Sequence, residues 1–279
     1  MSLTSQSVVV ITGAASGMGR SMAVRFAQEQ IAGLAISDVN TEGLAETAAM
    51  INKPALKVTT HHVNVSNEAE IRTFADDVIS AHGRVTHLIN NAGVALGGRV
   101  SEVSIEDMHW LIDINFWGVV HGTKIFMPLL EKEASAHIVN FSSIFGIIAP
   151  PGQATYCASK FAVRGFTEAL RHELVGTNIA VSVVHPGGVK TNIANSARMG
   201  SGVELSAEDV AKKRARINRN LDRTTPEQAA EIVLQGVKSR NPRIVIGGDA
   251  KLIQLIARAF PKRYFAIINR LSRGQITST

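Results

Sequence analysis

Short apolar runs rich in β-branched residues alternate along this chain with longer stretches whose apolar positions recur at helical spacing. The runs are Val8–Ile11, Ala35–Ser37, Val58–His62, His87–Ile89, His137–Phe141, Ala180–His185 and Arg243–Ile246. Between most of them lie segments such as Ser21–Gln30, Thr41–Met50 and Glu68–Ala81, patterned as amphipathic helices. This alternation predicts βαβ units and a parallel sheet. Val8–Ile11 and Ala180–Val184 are apolar almost without interruption, as strands covered on both faces should be. The expected fold class is α/β, a single doubly wound domain with a seven-stranded, mostly parallel sheet and helices on both faces. Glycine and proline cluster at the strand ends, at Gly13–Gly19, Gly93–Gly98, Pro150–Gly152 and Pro186–Gly188. In such a sheet the ligand crevice lies at the carboxyl ends of the strands, so these turns line the edge where chemistry is expected.

The glycine-rich turn Gly13-Ala-Ala-Ser16-Gly17-Met18-Gly19 stands between a predicted strand and a predicted helix. Glycines permit positive φ and close backbone approach, and a helix start offers free N–H groups to a pyrophosphate. This is the opening of a Rossmann-type dinucleotide site. Asp38 follows Gly19 by 19 positions, close to the spacing of an acid that holds ribose hydroxyls. A carboxylate there accepts from the 2′-hydroxyl of NAD and repels the 2′-phosphate of NADP. No basic residue precedes the second glycine of the loop, where Ser16 sits. NAD is therefore expected over NADP. The competing reading is structural: Asp38 or Asn40 would cap the helix that follows.

Tyr156 and Lys160 are four positions apart, so on a helix they share a face. A free phenol titrates near pH 10, and an adjacent ammonium is expected to lower that value towards useful acid/base chemistry. Ser142 and Ser143 run off a predicted strand end, where a hydroxyl can bond a substrate oxygen as charge develops; one of the two must point into the crevice. Asn115 falls within a long helical pattern and is a poor helix former, which points to a tertiary role.

Taken together, these residues resemble the short-chain dehydrogenase/reductase family over roughly the first 250 residues. The matching motifs are Thr12-Gly13-x-x-x-Gly17-x-Gly19, Asn90-Asn91-Ala92-Gly93, Asn115, Ser143, Tyr156-x-x-x-Lys160 and Pro186-Gly187-x-x-x-Thr191. The resemblance implies that Lys160 also binds the nicotinamide ribose and that Asn115 holds a water relaying protons towards it. It implies that Asn91, Ala92 and Gly93 support the cofactor and the central sheet. Pro186, Gly187, Val189 and Thr191 are expected at the nicotinamide end, and Gly13, Ser16, Gly17, Met18, Gly19 and Asp38 along the remainder of the cofactor. One departure stands at Asn64-Val65, where the family usually has an acid; Asn64 offers the adenine amino group an uncharged oxygen. A homodimer or homotetramer is also implied.

Substrate contacts are expected from Ser143, Phe145, Gln153 and Tyr156, with a lid at about residues 190–223. Phe145, Ile147 and Ile148 suggest an apolar wall. A catalytic domain at 1–250 is followed by a basic, amphipathic extension at 251–279, which Pro261 divides. The extension reads first as a helix packed on a partner subunit or on the lid, because an apolar stripe usually marks packing. The other reading is an interfacial helix giving peripheral membrane contact through residues 251–273.

Charge and composition add boundaries. The formal net charge is +6, with basic residues concentrated at Lys212–Arg223 and Lys251–Arg273. No nucleic-acid-reading motif accompanies them, so nucleic acid is not an expected partner. The single cysteine, Cys157, cannot form an intramolecular disulfide. No basic-then-apolar leader opens the sequence, and no apolar run approaches the roughly 18 residues of a span; a cytoplasmic protein is expected. No metal-ligand set is assigned. The expected activity is hydride transfer between NAD and an apolar secondary alcohol or ketone, of steroid, retinoid or long-chain kind. The alternatives are an NADPH-dependent carbonyl or 3-oxoacyl reductase and, in another class, a non-catalytic dinucleotide-sensing protein.

Overall fold

The computed structural model describes residues 3–191, 193, 196–203, 209 and 224–271. All seven expected runs are strands of one sheet: β1 Val8–Thr12, β2 Gly33–Asp38, β3 Lys57–His62, β4 His87–Asn90, β6 Ala136–Phe141, β7 Ile179–Pro186 and β9 Arg243–Ile246. Their order is β3-β2-β1-β4-β6-β7-β9, and every neighbouring pair is parallel. The order reverses between β1 and β4, which opens the crevice of a doubly wound sheet at their carboxyl ends. A two-stranded ribbon of β5 Leu96–Gly97 and β8 Arg198–Met199 was not legible in the sequence, because two residues carry no periodicity.

The described helices are α1 Gly17–Ala27, α2 Thr41–Met50, α3 Glu68–His82, α4 Ile105–Ile112, α5 Gly118–Leu130, α6 Ala154–Glu173, α7 Pro226–Lys238, α8 Gly248–Ala259 and α9 Tyr264–Leu271. Helix α1 begins and ends earlier than the pattern Ser21–Gln30 implied. Its first turn is built from loop glycines, which carry no apolar signal, and Ile31 already belongs to the turn into β2. The core divides along the sheet. Met22, Phe26, Val233 and Val237 of α1 and α7 cover one face; Phe74, Val78, Phe126 and Leu130 of α3 and α5 cover the other. Burial of each such side chain stabilises the fold by about 1.5–3 kcal/mol.

Two histidines inside the sheet are held neutral. His137 donates through Nε2 to Ser182 Oγ (2.7 Å), because the Ser182 hydroxyl is already donating to the Asn241 carbonyl (2.7 Å). His185 donates through Nδ1 to the Ser143 carbonyl (2.9 Å). The other ring nitrogen of each is buried without a hydrogen-bond partner. Burial pulls their pKa values down, to about 3 for His137 and about 4 for His185. Both therefore lie below the unfolded value of about 6.5. Between those limits the unfolded chain binds protons that the folded chain refuses, so stability falls as pH drops below about 6.5. Each histidine contributes a slope of up to about 1.4 kcal/mol per pH unit. Urea unfolding should show these two sites together costing about 3 kcal/mol between pH 6.5 and 5. His137→Gln should flatten that slope relative to the parent; an unchanged slope would remove His137 from the account.

Candidate active site

The dinucleotide loop is shaped by contacts that tolerate no side chain. Gly13 has φ +69°, and a Cβ there would meet the Ala92 backbone at 2.7 Å; one on Gly19 would lie 1.9 Å from the Gly13 carbonyl. Helix α1 starts at Ser16 with no side-chain cap, whereas Asn40, Asn67, Ser104 and Thr225 cap α2, α3, α4 and α7. Its first-turn N–H groups stay available to an anion. Thr12 and Asn91 brace the loop from behind. Thr12 Oγ1 accepts from the Asn91 and Ala92 N–H groups (3.1 Å each), and Asn91 Nδ2 donates to the Thr12 and Gly13 carbonyls (2.9 and 3.1 Å).

The structure separates the two readings of Asp38. Asn40 caps α2, its side chain accepting from Gly43 N (3.0 Å), so Asp38 is not the cap. Asp38 Oδ2 accepts from Ala15 N (3.0 Å) and Oδ1 from Asn40 N (3.1 Å). A carboxylate has capacity for further donors, so ribose hydroxyls can still be accepted. Arg20 is spent beneath the loop, on the Gly43 carbonyl (3.2 Å), Thr47 (3.0 Å), the Ala15 carbonyl and Glu46 (2.6 Å). Asn64 Oδ1, expected to face adenine, already accepts from the Ser66 amide and hydroxyl (3.1 and 2.8 Å). Val65 is buried, 2.8 Å from the position of a Cβ on Gly118.

Ser143, Tyr156 and Lys160 come together where β6 ends and α6 begins. Of the two serines, Ser142 turns away, donating to the Lys160 carbonyl (2.8 Å). Ser143 Oγ accepts from the Phe145 amide (3.1 Å), and its hydroxyl is the hydrogen-bond partner that acts to lower the Tyr156 pKa. Lys160 Nζ donates to the Phe141 carbonyl (3.0 Å) and lies 5.7 Å from the centroid of the Tyr156 ring. Asn115 sits in a π turn, Asp113–Trp117, between α4 and α5. This is the wider turn that a functional side chain often occupies within a helix. Its amide clasps Val94, accepting from N at 2.8 Å and donating to O at 2.9 Å, and also donates to Ser159 Oγ at 3.3 Å. Both amide donors are thus used. Gly93 is tight for a side chain, with Asn115 and Lys160 3.1 and 3.4 Å from its would-be Cβ.

The expected depression of the Tyr156 pKa by Lys160 is not found in the protein alone. Burial pushes the phenol up to about 12, and the hydrogen bond from Ser143 offsets only part of that rise. Burial likewise pulls Lys160 down to about 8. The low-dielectric surroundings penalise both charged forms before the pair can gain from mutual attraction.

The remaining loops close on the same crevice. Pro186 ends β7, and Gly187 is packed against Asp249, which also accepts from Gly188 N (2.8 Å). Val189 bridges to Thr224, and the Thr191 side chain stands 3.4 Å from a would-be Cβ on Gly17. Phe145 meets Tyr156 edge-on, with centroids 6.1 Å apart and planes at 87°. Gln153 precedes α6 beside Gly97, where Met199 also lies, 3.3 Å from a would-be Cβ on Gly97. The ribbon itself is pinned: Arg198 pairs with Asp107 (3.0 Å) and stacks on Trp110 (3.8 Å). The basic stretch Lys212–Arg219, with most of the segment expected as a lid, lies outside the described residues.

A family model described as short chain dehydrogenase matches residues 7–201. The chain belongs to the short-chain dehydrogenase family of oxidoreductases. An oxidoreductase designated SadH from Mycobacterium tuberculosis is 40% identical over 263 residues, covering 94% of this chain and 93% of that protein. The 3-oxoacyl-[acyl-carrier-protein] reductase FabG of Thermotoga maritima is 32% identical, covering 88% and 97%. A short-chain dehydrogenase of Burkholderia phymatum, solved in complex with NAD, superposes with a TM-score of 0.78 at 32% identity, covering 86% of this chain and 88% of that one.

Sequence reading missed three parts of this short-chain dehydrogenase: the Val94 clasp, the Arg198–Asp107–Trp110 latch, and the place of the C-terminal helices. The extension begins inside α8 rather than after it. Part of its apolar stripe packs on its own chain: Ala250, Ile256 and Ile268 bury against Ile144 and Ile148. The Ala149 N–H donates to the Tyr264 hydroxyl (3.2 Å). No sequence signal tied the two segments together, because the contact spans more than a hundred residues. Among the described residues, no helix is long and apolar enough to cross a membrane.

Proposed function

We propose that this short-chain dehydrogenase uses NAD to interconvert an apolar secondary alcohol and its ketone. The observation that carries the reading is the convergence of Ser143, Tyr156 and Lys160 at the sheet edge where an uncapped helix start and Asp38 await a dinucleotide. The residues fit that cofactor. Glycines without room for a Cβ line the loop, the helix dipole faces it, and Asp38 retains acceptor capacity. The NAD complex of the Burkholderia relative supports the same choice. Bound nicotinamide dinucleotide supplies the hydride acceptor for oxidation and the donor for reduction.

The chain's own groups handle the proton. In oxidation the Tyr156 phenolate takes the proton of the substrate hydroxyl, and in reduction the phenol returns it to the carbonyl oxygen. Ser143 Oγ donates to that oxygen as its charge changes. Lys160, as an ammonium 5.7 Å from the Tyr156 ring, would add to the positive charge that favours the phenolate and would hold the ribose hydroxyls of the bound dinucleotide. Because burial holds Tyr156 near 12 in the protein alone, a second positive charge close to the ring is needed to bring it into range. Asn115 holds Val94 and Ser159 in place, so a water relay there would use backbone atoms of the π turn. Phe145, Val94 and Leu96 beside Tyr156, with Met199 across Gly97, suit an apolar substrate. Exposed Trp117 and Phe161 offer apolar surface for a homodimer or homotetramer.

The second reading, an NADPH-dependent 3-oxoacyl or carbonyl reductase, is favoured by kinship with the Thermotoga reductase and opposed by Asp38. A panel of secondary alcohols with NAD and NADP, read at the absorbance of reduced cofactor, decides between them. With NAD, kcat/KM should rise about fourfold per added methylene until the pocket is full. Turnover confined to NADPH and oxoacyl thioesters transfers the assignment to the second reading. Dinucleotide binding with no turnover leaves a sensing protein.

A further inference from the structure

Helices α8 and α9 form a hairpin whose inner face is buried within its own chain and whose outer face is not. Leu252, Leu255 and Phe260 are 53%, 63% and 53% exposed. At about 100° per residue, Leu255, Ala259 and Leu252 follow one another around α8, and Lys251 and Arg258 border them on one side. Phe260 and Pro261 form the elbow, and exposed Lys262 and Arg263 follow directly, with Arg270 further along α9. The single acid of the hairpin, Asp249, is turned inward onto Gly188. Among the described residues, none of these five cations pairs with a carboxylate.

We infer that this outer face docks on an anionic lipid surface. The leucines and Phe260 enter the acyl boundary while the lysine and arginine heads reach acidic headgroups, the arrangement of an interfacial helix. A second copy of the same face is a poor occupant. A two-fold contact would set cations against cations, with no outward acid to answer them. Docking would also be productive, because the opposite side of the hairpin packs on the segment that carries Phe145 to Tyr156. An apolar substrate dissolved in the bilayer would then meet the site from a short distance. The docking itself stands without the proposed substrate.

The test is co-sedimentation of the full chain with vesicles of phosphatidylcholine alone and of phosphatidylcholine mixed with phosphatidylglycerol, at low and raised salt. Binding is expected only to the mixed vesicles, and it should weaken as salt rises. The pair Lys262→Ala and Arg263→Ala should weaken partition about thirtyfold. The pair Leu255→Ser and Phe260→Ser should also release the protein, and both variants should keep their melting temperature and their turnover of a water-soluble alcohol. No binding, or equal binding to neutral vesicles, overturns the inference. So does a parent protein that ignores vesicles but sediments as an oligomer that Leu255→Ser and Phe260→Ser dissociate, which would give the face to a second copy. Since dinucleotide reduction in buffer is measured separately, failure here leaves the oxidoreductase reading standing.

Discussion

Tyr156→Phe should lower kcat by about 10²–10⁴, the usual worth of a positioned acid/base group, while NAD binds nearly as before. The ring remains to pack against Phe145, so the variant loses a hydroxyl and little else. What disappears is the group that exchanges the proton and the partner that Ser143 bonds. A titration makes the same point without turnover. The chain has two tyrosines, Tyr156 and Tyr264. Saturating oxidised NAD should move one tyrosinate transition to lower pH, and Tyr156→Phe should abolish that movement. Full turnover in the variant, or a titration indifferent to NAD, would show that the proton passes through another group.

Asp38→Asn should shift cofactor preference towards NADP by as much as about three orders of magnitude. Two charges about 4 Å apart interact by about 4 kcal/mol at an effective dielectric constant near 20, which sets that upper limit. Asparagine keeps one oxygen for the Ala15 amide and removes the charge facing a 2′-phosphate. Because Asn40 caps α2, the exchange does not uncap the helix. Arg20, already engaged by Glu46 and the loop carbonyls, is not free to take over phosphate binding. The measurement is the ratio of kcat/KM for the two cofactors, and an unchanged ratio would take Asp38 out of cofactor selection.

Much of the fold was legible because parallel strands buried on both faces must be apolar throughout, and that leaves a run in the sequence. Val8–Thr12 and Ile179–Pro186 are such strands. The site was partly legible for a different reason. Gly13, Gly17 and Gly19 are demanded by backbone geometry, and Tyr156 and Lys160 share a helix face by spacing alone. Ser142 and Ser143 were not separable, since consecutive residues at a strand end face opposite ways and only the register of β6 against β7 decides which one looks into the crevice. Nor was the burial that drives Tyr156 up and Lys160 down, which depends on what packs over them.

By itself, the sequence determined the parallel sheet, the glycine loop, the acid that ends the second strand and the tyrosine–lysine pair. These follow from periodicity and from constraints that act within a few residues. Only the tertiary structure decided that Asn40 rather than Asp38 caps α2, that the Asn115 amide clasps Val94, and that the C-terminal hairpin packs on Ile144 and Ile148. Each of these joins residues far apart along the chain, or chooses between neighbours by direction. No local pattern encodes such a choice, because it is made when elements pack and buried polar groups must each find a partner.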